Sequence, residues 1–86
     1  MPIDPITQCN LSQSFYILFE HHDKQKMRIK VWEAKTLEDG KVLIRHGSLG
    51  STFLKEEIKD RLYFEKVAPR KIAKGYYIRK FSLDNP

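Results

Sequence analysis

A single cysteine, only four glycines and no long apolar run set the first limits on what this 86-residue chain can be. Cys9 has no second thiol to pair with, so no internal disulfide can form and nothing points to an oxidising compartment; the expected location is cytoplasmic. No apolar stretch approaches the roughly 20 residues that span a bilayer, so no membrane partner is expected. The first ten residues lack both a basic region and an apolar segment, which argues against a secretory signal. Histidine is sparse as well. His21 and His22 are adjacent and would point to opposite faces of a strand, His46 is distant, and there is no CxxC or HxxxH spacing, so no metal site is expected. Cys9 has no evident base nearby, Ser48 beside His46 makes no triad, and no pair of carboxylates sits in an apolar run. The chain is read as non-enzymatic, with no catalytic residue and no cofactor. Repeats and low-complexity segments are missing too, and the length fits one domain.

What is present is positive charge, unevenly placed. The net charge is +5. Residues 1–43 carry six basic and six acidic side chains, whereas residues 44–86 carry ten and five. From Lys66 to Leu83 there are six basic residues and no acid. Such a cluster suits a polyanion-binding surface, because each neutralised phosphate releases counterions. A solvated basic face that keeps the protein soluble is the plain alternative.

The patterning reads as α+β. Residues 1–13 form an irregular lead-in, 14–81 a single domain and 82–86 a tail. Ser14–Glu20 is aromatic and β-branched, with Phe15, Ile17 and Phe19 on one face of a strand. Met27–Lys35 alternates, with Met27, Ile29 and Val31 on one side and Arg28, Lys30 and Trp32 on a wet basic-aromatic side. Asp39-Gly40 supplies a hairpin turn into a third strand ending at Arg45-His46-Gly47. Beyond Gly50, Leu54, Ile58 and Leu62 lie four apart, as do Tyr63 and Val67, which predicts a helix that Pro69 should end or kink. Residues 51–58 could instead make a short fourth strand, and Gly75–Phe81 a strand or extended tail. The expected fold is an antiparallel sheet of three or four strands with one helix, apolar on its Leu62 side, packed on one face.

The order of these elements, with Lys30-Val31-Trp32-Glu33, then His46-Gly47-Ser48-Leu49-Gly50, then Lys71-Ile72-Ala73-Lys74-Gly75-Tyr76, resembles the WGR domain. His-Gly-Ser stands where the family's Trp-Gly-Arg tripeptide would be, and Phe64 falls where the family helix carries an aromatic. The resemblance covers roughly Phe15 to Tyr76. It implies the α+β fold and DNA contact; in poly(ADP-ribose) polymerases such domains touch strand breaks, with the motif tryptophan stacking on the terminal nucleotide.

Aromatics interleaved with basic residues support nucleic-acid binding independently. The candidate interface comprises Arg28, Lys30, Trp32, Arg45, His46, Ser48, Lys71, Lys74, Tyr76 and Arg79. Trp32 and Tyr76 could equally be core residues. Gly47 and Gly50 could let the third strand bulge and turn into the helix, or place the amides of Ser48, Gly50 and Ser51 around a phosphate. The expected function is a non-catalytic module binding nucleic acid, and DNA in particular. The alternative is an adaptor or regulatory subunit that docks an acidic protein partner.

Overall fold

The computed structural model describes residues 4–50 and 54–83. Its elements are α1 (Pro5–Leu11), β1 (Phe15–Asp23), β2 (Arg28–Thr36), β3 (Val42–Ser48), β4 (Lys55–Lys59), α2 (Arg61–Ala73) and β5 (Tyr77–Leu83). All strand pairs are antiparallel, in the order β4-β3-β2-β1-β5. The first four strands are a meander. Since β4 and β5 lie at opposite edges, the chain must cross the sheet between them, and α2 makes that crossing.

The α+β class is as expected, but there are more elements. The lead-in is a helix at residues 5–11, because Asp4 caps it by accepting the Thr7 amide at 3.0 Å and Pro5 sits in its first turn. Residues 55–59 are a full fourth strand and Tyr77–Leu83 a fifth. Met27 belongs to the β1–β2 turn, with φ 51°. Ser51, Thr52 and Phe53, and the last three residues of the tail, lie outside the described residues.

One face of the sheet is covered by α2. The register aligns Ile17 with Ala34 and Ile44, and Phe19 with Trp32, into one apolar layer. Phe64 stacks on it from the helix, 4.6 Å from Phe15 and 6.0 Å from Trp32 between ring centroids. Burying each such side chain is worth about 1.5–3 kcal/mol. Two expectations about sides fail here. Trp32 is 2 % exposed and faces the helix, not solvent. The Leu54-Ile58-Leu62 spacing is a coincidence across a strand–helix boundary: Ile58 (64 % exposed) is in β4, and Leu62 (56 %) points outward. Asp60 sets the boundary by accepting the Tyr63 amide at 2.8 Å, so the helix begins at Arg61 and turns Phe64 and Ala68 inward, with Tyr63 and Val67 packed alongside. Pro69 does not stop it; α2 runs on to Ala73.

α2 ends in a double-bonded reversal. The Gly75 amide donates to Ile72 O and the Tyr76 amide to Lys71 O, both at 3.0 Å, with Gly75 at φ +104°. At its other end Arg61 holds α1: Nη2 donates to the Cys9 carbonyl (2.8 Å) and the Ser12 carbonyl (2.7 Å). Cys9 is thereby buried in the core.

Candidate nucleic-acid interface

Three segments far apart in sequence meet at one end of the covered face. Lys30 and Val31, His46 to Ser48, and Lys71 with Tyr76 line a depression of about 270 Å³. The β2–β3 ladder sets its floor, pairing Lys30 with Ser48, Val31 with Gly47 and Trp32 with His46. The reversal after α2 supplies its wall. Because Tyr76 bonds back to the Lys71 carbonyl, the Lys71 Nζ comes to 5.1 Å from the Tyr76 ring centroid, and it lies 5.8 Å from the Trp32 ring below. His21 stacks on Tyr76 at 5.2 Å, with its Nδ1 3.3 Å from the Gly75 carbonyl oxygen.

The electrostatics of this end are one-sided. Among the described residues, Lys30, Lys71 and Lys74 form no ion pair. Burial pushes the Lys71 pKa down, and the charges of Lys74 and Lys30 push it further the same way. Mutual repulsion of this kind is relieved by an anion. His46 has an acidic neighbour, with its Nε2 3.5 Å from Glu57 Oε2. Burial raises the Tyr76 phenol above its ordinary range.

The other candidates lie elsewhere. Trp32 is under the depression and offers no face to a base. Arg45 is on the open face of the sheet, its Nε 3.1 Å from Glu56 and its Nη1 3.6 Å from Glu33. Arg79 is on that face too, 3.6 Å from Glu20. Tyr77 donates to Glu20 at 3.0 Å, which leaves the open face as a row of satisfied carboxylates. Arg28 is exposed at the start of β2, opposite Asp23. Lys74 is exposed at the helix cap, close enough to act on Lys71.

The glycine corner is not a bulge in the β2–β3 ladder. Gly47 pairs in regular register with Val31, and Gly50, at φ +86°, is followed by β4 and not by a helix. Among the described residues no helix N-terminus adjoins it, and Ser51, part of the phosphate-cradle reading, lies outside the described residues. His21 and Glu57 were not among the candidates. His21 could have been found from the β1 alternation, which puts it on the Phe19 side; Glu57 was hidden by the false helical spacing.

Cys9 is remote from this end, and burial pushes its thiol up to about 12, partly opposed by Arg61. No helix among the described residues is long and apolar enough to cross a membrane. No family model matches the chain, and no curated protein or solved structure matches it.

Proposed function

We propose that the protein is a non-catalytic nucleic-acid-binding module that holds the phosphate backbone of DNA at the Lys30–Lys71–Tyr76 end of its covered sheet face. One observation carries this reading: His46-Gly47-Ser48, and Lys71 with Tyr76, from two separate elements of the WGR resemblance, line one depression whose lysines have no carboxylate partners among the described residues. Lys30, Lys71 and Lys74 are the phosphate contacts, and Ser48 and His46 supply polar groups beside them. Trp32 holds the sheet to the helix and does not stack on bases, so sequence readout is weak. Arg45 and Arg79 are engaged by Glu33, Glu56 and Glu20 and contribute little. The test is duplex binding across a salt series. Replacing Lys30, Lys71 and Lys74 by alanine should weaken binding and flatten its salt slope; replacing Arg45 and Arg79 should not. Equal losses from both sets would refute the localised site.

A further inference from the structure

Glu56 and Glu57 are consecutive, yet the pleat sends them to opposite faces of the sheet. Glu56 pairs across the ladder with Arg45 on the open face and forms an ion pair with it. Glu57 pairs with Ile44, on the covered face, and reaches His46, which lines the cationic depression. Both partners of this pair are about one-third exposed, so the contact sits at the mouth of the depression and not in the core. Among the described residues the groups around it are otherwise basic or neutral: Lys55 opposite His46 in the ladder, Lys30 and Ser48 on β2 and β3, and Lys71 and Tyr76 beyond them.

We infer that Glu57 is the residue that limits the affinity of this site, acting as a built-in competitor for the incoming phosphate. This rests on the reading of the depression as a phosphate-binding surface. A phosphate that enters beside Lys30 and Lys71 meets the Glu57 carboxylate across the mouth, and it can reach His46 Nε2 only by replacing that carboxylate. Like charges repel, and the two anions compete for the same place beside His46. Glu57 therefore holds binding below what the lysines alone would produce, while Glu56, identical in charge and one residue away, does not.

The experiment compares the affinities of Glu57→Gln, Glu56→Gln and Lys71→Ala for a short blunt-ended DNA duplex at one fixed salt concentration. Glu57→Gln should bind about threefold to tenfold tighter than the wild type, and Glu56→Gln should stay within about twofold, although both change the net charge equally. Thermal unfolding of each variant checks that the fold is kept. If Glu57→Gln proves unfolded, Glu57→Asp, whose shorter side chain draws back from His46, should show the same direction with a smaller gain. Equal affinities for the two glutamine variants, or weaker binding by Glu57→Gln, would overturn the inference. Lys71→Ala separates the two failures. A loss of binding there, with no difference between the glutamine variants, sinks the role of Glu57 and leaves the site standing. No loss in Lys71→Ala removes the site itself, and the role of Glu57 with it.

Discussion

The two faces of the sheet carry similar residue types and use them in opposite ways. On the open face Arg45 lies between Glu33 and Glu56, Arg79 meets Glu20, and Tyr16 donates to Glu33. On the covered face the aromatic residues are spent on the core, and the lysines at its end have no carboxylate partner among the described residues. Basic residues thus keep an uncompensated charge only where the fold withholds their counter-charges. The count of lysines and arginines between Lys66 and Leu83 does not make that distinction.

The largest expected effect tests which face holds the fold together. Phe64→Ala should destabilise by about 3–5 kcal/mol, because it opens a cavity between Phe15 and Trp32. Ile58→Ala on the open face and Leu62→Ala on the outer side of α2 should each stay within about 0.5 kcal/mol. Denaturant midpoints check all three, and a large loss at Leu62 would restore the helix face that the spacing suggested.

A second prediction sharpens the charge contrast. The Lys30, Lys71 and Lys74 triple alanine variant should lose tenfold or more in duplex affinity at low salt, as measured by fluorescence anisotropy. The Arg45 and Arg79 double alanine variant should keep its affinity within about threefold. It should lose some stability, since Glu20 is buried and would be left without its arginine.

A third concerns alkaline pH, where both faces contribute. Burial raises the Cys9 thiol to about 12 from 9.0; burial, then the Glu33 hydrogen bond, raises the Tyr16 phenol to about 12 from 10.0. For such groups the stabilisation is fully present below the unfolded-state pKa and is lost as pH rises toward the folded value. Stability should therefore fall progressively between about pH 9 and pH 12. Cys9→Ala should flatten the start of that fall and Tyr16→Phe its later part, in denaturation curves taken across this range. The native Cys9 thiol should react with a thiol reagent only as the protein unfolds.

The smallest effect is on DNA ends. The site presents His46 and Ser48, neither an indole nor a guanidinium, while Trp32 is buried and the Tyr76 ring is taken up by His21 and Lys71, so a terminal nucleotide finds little stacking surface and no forked charged donor. Nicked, blunt-ended and closed circular DNA should bind within about threefold of one another, well under the 1.4 kcal/mol of a tenfold difference. A tenfold preference for nicked DNA, removed by His46→Ala, would show that the site recognises DNA ends.

Much of the sheet was legible because strands report their faces locally. Phe15, Ile17 and Phe19 announce β1, and Asp39-Gly40 announces its hairpin. The helix was legible in kind but not in phase. Its start depends on Asp60 accepting an amide hydrogen bond, and the apolar residues on either side of that point happen to be four apart. The N-terminal helix escaped notice because it has only seven residues, too few for helical periodicity to register. At the candidate site, Lys30, His46, Ser48, Lys71 and Tyr76 were all identified and do converge. Arg45, chosen for its place beside His46, and Arg79, chosen for its place beside the tyrosines, lie on the other face.

Composition and local pattern alone determined the α+β class, the first three strands, the turn at Gly40 and the excess of positive charge in the second half. Those features depend on each residue's own chemistry and on neighbours within one turn or one pleat. Tertiary structure decided which cations keep a free charge, which aromatic residues are buried, and that Glu56 and Glu57 serve different faces. Each of these is settled by a partner brought across the sheet, Glu33 to Arg45, Phe64 to Trp32 and His46 to Glu57, and strand register and helix phase choose such partners where sequence distance cannot.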